Sequence, residues 1–85
     1  MPYRIEYTSS ASKALSKLPT DLASRIKQAV SLLANNPRPQ GSIKLTATDS
    51  YRIRVGDYRI VYTIHKQRLV VEIVRIGHRR EIYER

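Results

Sequence analysis

A chain of 85 residues buries only roughly 60–65% of the surface its unfolded form exposes, so its core is modest and its chemistry falls on a shallow face. It has no cysteine, which excludes disulfides and thiolate metal sites; His65 and His78 lack ligand-like spacing, and no apolar run approaches the ~20 residues of a membrane span. Sixteen Lys and Arg, eleven of them Arg, stand against seven Asp and Glu for a formal net charge of +9, which favours a polyanionic partner gripped by guanidinium forks. The opening MPYRIEYT does not read as a signal peptide. The expectation is one cytoplasmic domain over residues 1–85, with no bound metal or cofactor and no membrane partner.

Tyr3–Thr8 alternates and is rich in β-formers, so it predicts a first strand. Ser9 or Ser10 can cap a following helix whose apolar face is Ala11, Ala14, Leu15 and Leu18, with Pro19 as its stop. Thr20 and Asp21 open a second helix with Leu22, Ile26, Ala29, Val30 and Leu33 on its buried stripe, ended by Asn35-Asn36-Pro37. Joined at a proline, the two helices form an antiparallel hairpin, and Lys13, Lys17, Arg25 and Lys27 read as solvated positions on it. Arg38–Asp49, broken by proline and glycine, reads as a loop. From Tyr51 the period becomes two, giving strands Tyr51–Val55, Tyr58–Ile64 and Leu69–Ile76. The fold class is α+β: an N-terminal strand, a helical hairpin, then a three-stranded antiparallel meander, with the helices on one sheet face.

Gly56-Asp57 is a two-residue hairpin turn with glycine at the first central position, and register follows by counting outward. Val55 then pairs with Tyr58, Arg54 with Arg59, Ile53 with Ile60, Arg52 with Val61 and Tyr51 with Tyr62. Tyr51, Ile53, Val55, Tyr58, Ile60 and Tyr62 belong to the core face; Arg52, Arg54 and Arg59 belong to the other. Like charges directly opposite in a ladder are unfavourable by some tenths of a kcal/mol. A phosphate between Arg54 and Arg59 would convert that penalty into charge-assisted hydrogen bonds. The alternative is an exposed face whose arginines fan into water.

A loop over His65–Arg68 would pair Ile64 with Leu69, sending Val71 and Ile73 to the core and Val70, Glu72, Val74 and Ile76 to the arginine face. Apolar residues there suggest a second, protein partner or coverage by the C-terminal segment. Strict alternation puts His78 on the arginine face and Arg79 behind it; a bulge at Gly77 reverses the two.

RVGDYRIVY (Arg54–Tyr62) and IGHRREIY (Ile76–Tyr83), behind a strand and a helical hairpin ending in LLANNP, resemble the RelE/ParE superfamily of type II toxins over nearly the whole chain. The likeness is closer to the RelE branch, whose members cleave messenger RNA in the ribosomal decoding site, than to the ParE branch, which poisons DNA gyrase. The RelE resemblance implies metal-free cleavage, in which the 2′-hydroxyl attacks the adjacent phosphate and the 5′-oxygen leaves. It places the family's catalytic positions at Arg52, Arg54, Arg59, Arg79 and Tyr83; the last two rest on the resemblance alone. RelE members carry lysines where Arg52 and Arg54 stand, and arginine does not give up its proton, so both become electrostatic clamps. The base is then sought among Tyr83, Glu81, His78 and Lys44, with His78 and Tyr83 as the acid/base pair. Lys44, Arg80 and Arg85 are candidate RNA contacts.

The implied partners are a cognate antitoxin, mRNA in the ribosomal A site, and operator DNA only through the antitoxin complex. A gyrase inhibitor of ParE type, or an inert homologue acting in operon autorepression, are the alternatives.

Overall fold

The computed structural model describes residues 2–45 and 49–78. In chain order these form β1 (Arg4–Tyr7), α1 (Ser9–Ser16), α2 (Thr20–Leu32), β2 (Ile43–Lys44), β3 (Ser50–Val55), β4 (Tyr58–His65) and β5 (Val70–His78). The strands make one sheet in the order β1-β5-β4-β3-β2, with β1 parallel to β5 and the other neighbours antiparallel. No helix among the described residues is long and apolar enough to cross a membrane.

Both helices arise where expected, with one change of cap. Thr8, rather than Ser9 or Ser10, is the N-cap of α1: its Oγ1 accepts from the Ala11 N–H at 3.1 Å. The same hydroxyl donates to the Val74 carbonyl at 3.0 Å, which holds Thr8 extended at the end of β1 and leaves the serines to start the helix. Pro19 caps α2 without a side-chain bond, its fixed φ of −55° leading into the first turn. Asp21 in that turn complements the helix dipole. Ala11, Leu15, Ile26, Val30 and Leu33 pack on Tyr51, Ile60, Tyr62, Ile64, Val71, Ile73 and Ile76, so both helices cover one face of the sheet.

The β3–β4 register is the one obtained by counting out from Gly56-Asp57, from Val55↔Tyr58 through Arg54↔Arg59 to Tyr51↔Tyr62. Gly56 has φ +61°, the left-handed value that this turn demands of its first central residue. Tyr62 is fully buried, and its hydroxyl donates to the Pro37 carbonyl at 2.7 Å, tying the loop after α2 to the sheet. Burial, offset in part by a hydrogen bond from Ser42, pushes the Tyr62 phenol up to about 12.

Three expectations change. The stretch read as a loop over Arg38–Asp49 contains β2, whose residues pair Ile43↔Arg52 and Lys44↔Tyr51 along the β3 edge; two residues are too few for a visible alternation. The last hairpin closes at His65↔Val70, with Ile64 opposite Val71 rather than Leu69. Leu69 has φ +55° and belongs to the turn, not the strand. The slip is an even number of residues, so Val71 and Ile73 still face the core.

The third change is a bulge. Tyr62 faces Ile73 but Val61 faces Arg75, which leaves Val74 as the extra residue of β5. A bulge takes its residue out of the ladder, and here the Thr8 hydroxyl satisfies the Val74 carbonyl. Beyond it the faces of β5 exchange. Ile76, assigned by alternation to the arginine face, lies in the core opposite Ile60 at 6% exposure.

Candidate nucleic-acid interface

Cross-strand partners share a face, so the uncovered side of the sheet can be read from the ladders. It carries Arg52 and Arg54 from β3, Arg59 and Val61 from β4, and Arg75 and Gly77 from β5 toward the turn end; Arg75, exposed opposite Val61, is brought to this face by the bulge at Val74, against simple alternation. Toward the other end come Ser50 and Thr63, whose hydroxyls lie 3.0 Å apart, then His65 and Glu72, paired at 2.9 Å, then Glu6 with Arg4 on β1. The carboxylates of this face therefore gather at the β1 side, while Arg52, Arg54, Arg59 and Arg75 occupy the turn end from β3 across to β5.

Arg59 is not an open, fanning side chain. It stands on the central strand, between Arg54 and Gly77, and is only 5% exposed. Gly77, directly opposite it, has no side chain and is itself buried. Gly77 is thus a spacer opposite an arginine rather than the bulge the sequence suggested. Holding a guanidinium at this depth costs several kcal/mol unless charge and hydrogen bonding compensate it. Arg52 is half-buried beside it, and Arg54 is exposed, its Nε donating to the Gly56 carbonyl at a long 3.4 Å.

The other candidate residues separate into two groups. His78 is opposite Tyr58, with ring centroids 5.5 Å apart and edge to face, on the side of the sheet that packs the helices. The bulge at Val74 sends it there, away from Arg52, Arg54 and Arg59. Lys44 is exposed and in register with Tyr51, so it also belongs to the helix side of the edge; its neighbour Ile43, opposite Arg52, is the one on the arginine face. Arg79, Arg80, Glu81, Tyr83 and Arg85 lie outside the described residues. Val70, expected to lie exposed among the arginines, is fully buried between β1 and β4, and Val74 is half-buried.

One basic residue of the helical hairpin reaches this end of the sheet. A Cβ on Gly56 would sit 3.9 Å from Nη2 of Arg25, so Arg25 is not the remote position that its outward place on α2 suggested. Only the tertiary approach of α2 to the turn reveals it. Among the described residues no group of three His, Asp or Glu is placed to hold a metal ion.

Residues 5–83 match the family described as the ParE toxin of type II toxin-antitoxin systems, parDE. The chain belongs to the RelE/ParE superfamily of toxins. It is 33% identical to the toxin RelG of Mycobacterium tuberculosis over the full length of both chains. It is also 33% identical to the RelE toxin of that organism, over 96% of this chain and 87% of the relative. Among solved structures it is similar to the archaeal RelE–RelB complex of Pyrococcus horikoshii, with a TM-score of 0.80 at 29% identity over 93% of this chain and 97% of that one. A mutant E. coli RelE toxin in the free state shares the fold, with a TM-score of 0.84 at 23% identity over 96% and 88% of the two chains. The fold common to these RelE/ParE toxins thus carries, in this chain, four arginines, Arg52, Arg54, Arg59 and Arg75, toward the turn end of the sheet face that the helices leave uncovered.

Proposed function

We propose that this toxin is a ribosome-dependent mRNA endoribonuclease. The observation that carries the reading is the buried Arg59, flanked by Arg54 and Arg52 on one sheet face and opposite Gly77. In the proposed step the ribose 2′-oxygen forms a bond to the adjacent phosphorus and the bond to the 5′-oxygen breaks, leaving a 2′,3′-cyclic phosphate and a 5′-hydroxyl. Negative charge grows on the non-bridging oxygens as the pentacoordinate phosphorus forms. Arg59, positioned by its strand rather than by a mobile side chain, supplies preorganised donors there. Arg54 and Arg52 hold the flanking phosphates. Arg79 adds a further cation on the strength of the family resemblance.

Neither proton transfer can be given to Arg52 or Arg54. Of the four groups considered as a base, His78 and Lys44 sit on the helix side of the sheet. The reading therefore gives the proton transfers to Tyr83, with Glu81 as second group, and leaves His78 as an aromatic neighbour of Tyr58. Arg80 and Arg85 remain proposed contacts to ribosomal RNA. A face with so few groups for proton transfer fits a reaction in which the ribosome orients the substrate.

A cognate antitoxin is the proposed protein partner, as in the solved RelE–RelB complex of P. horikoshii and the RelBE2 complex of M. tuberculosis. It would bring an acidic segment to the arginines and an apolar side chain to Ile43, which is 48% exposed beside Arg52. Ile43 takes the part that the sequence assigned to the valines of β5. Operator DNA would be met only through that complex.

The family description names ParE toxins, and it favours a second reading, inhibition of DNA gyrase without cutting RNA. Primer extension on a defined mRNA in a reconstituted translation reaction separates the two. Cleavage only while ribosomes hold the message is the expected result. Intact message, from protein that arrests growth and leaves broken chromosomes, refutes the nuclease reading in favour of gyrase.

A further inference from the structure

Two guanidiniums converge on the tip of the β3–β4 hairpin from opposite sides of the sheet. From the arginine face, Arg54 Nε reaches the Gly56 carbonyl at 3.4 Å. From the helix layer, Arg25 spans the gap between α2 and the turn, so that its Nη2 stands 3.9 Å from where a Cβ on Gly56 would be. Both arginines are exposed. Among the described residues neither is ion-paired: the carboxylates that do pair, Glu6 and Glu72, are engaged by Arg4 and His65 at the far side of the sheet. Beside the turn lies a shallow depression lined by Gln40, Gly41, Ile53, Arg54 and Gly56. A bare glycine between two cations lets a polyanion approach the backbone closely, which a side chain at position 56 would hinder.

We infer that Arg25 and Arg54, flanking Gly56, form a second phosphate site that carries a single-stranded RNA backbone off the arginine face and over the hairpin tip toward α2. The inference rests on the reading of that face as an RNA site. It adds a contact from the helical layer, which the strand ladder alone does not contain. The ligand chemistry is the backbone phosphodiester. Arg25 acts as a positioning residue, away from the reacting phosphate beside Arg59.

The test uses a labelled 2′-O-methyl RNA oligomer, which cannot be cleaved by 2′-oxygen attack, and follows its binding by fluorescence anisotropy over a salt series. Loss of one phosphate contact lowers the magnitude of the slope of log K against log salt by about 0.7 for a single strand. Arg25→Ala is expected to show that drop, and Arg25→Lys to recover most of it, since a point charge suffices for counterion release. Lys27→Ala removes the same charge from the same helix, but Lys27 borders Tyr7 and Leu15 instead of the turn; its slope should equal that of the wild type. An unchanged slope in Arg25→Ala overturns the site. So does an equal drop in Lys27→Ala, which would reduce the effect to net charge. Wild-type protein that binds the oligomer with the expected Arg25 dependence but cuts no message overturns the nuclease reading and leaves the site standing. Wild-type protein that does not bind it overturns the site and leaves the nuclease reading to be decided by the primer-extension assay on ribosomes.

Discussion

Replacing Arg59 by methionine should cost far more activity than stability. The side chain is 5% exposed and directly opposite Arg54. An unbranched apolar side chain of comparable length removes a like-charge cross-strand pair, worth some tenths of a kcal/mol, and the desolvation cost of a buried cation, but it also removes the contacts that hold the guanidinium. The group left behind by a lost buried contact costs about 1–3 kcal/mol, which the gains offset in part. The expectation for Arg59→Met is an unfolding free energy within about 2 kcal/mol of the wild type. Removing a preorganised donor from a phosphoryl transition state costs about 10²–10³ in rate. Single-turnover cleavage of mRNA on programmed ribosomes should fall by that factor, with Arg59→Lys retaining an intermediate rate. Urea unfolding and the cleavage time course, run on the same preparations, check both halves. A variant that loses more than about 2 kcal/mol of stability yet cleaves at the wild-type rate per folded molecule would refute the reasoning. It would make Arg59 a structural residue.

Tyr62→Phe removes the bond to the Pro37 carbonyl and should cost about 1 kcal/mol in urea unfolding. Burial raises the Tyr62 phenol to about 12, so the unfolded chain ionises first. The stability from this group is complete below pH ~10 and lost as pH rises from there through about 12, amounting to no more than about 3 kcal/mol. The phenylalanine variant should lack this alkaline component; parallel decline of the two proteins above pH ~10 would contradict the burial argument. Thr8→Val keeps the shape of the α1 cap but loses both the bond from Ala11 and the bond to the bulge carbonyl of Val74. Its expected cost is about 1–3 kcal/mol, with hydrogen exchange fastest at β5 beyond Val74; a uniform change in exchange would argue that the bulge does not depend on Thr8.

The local elements were legible in the sequence because the forces that set them are local. Pro19 and the apolar stripes delimit two helices whatever surrounds them. A two-residue turn fixes the β3–β4 register, and a period of two then assigns Arg52, Arg54 and Arg59 to one face by counting alone. Tertiary structure decided everything that depends on residues distant in the chain. The bulge at Val74 is stabilised by Thr8, 66 positions away, and no pattern within β5 reveals it, so the face of His78 and the burial of Ile76 could not be read by alternation. The burial of Arg59 on the central strand has no counterpart in the alternation pattern, and β2 exists only because β3 offers it an edge. Arg25 looks like an ordinary solvated helix position until α2 is laid against the sheet and its guanidinium meets Gly56. Sequence periodicity specifies which side of an element a residue occupies; what that side faces is set by packing between elements, which periodicity does not encode.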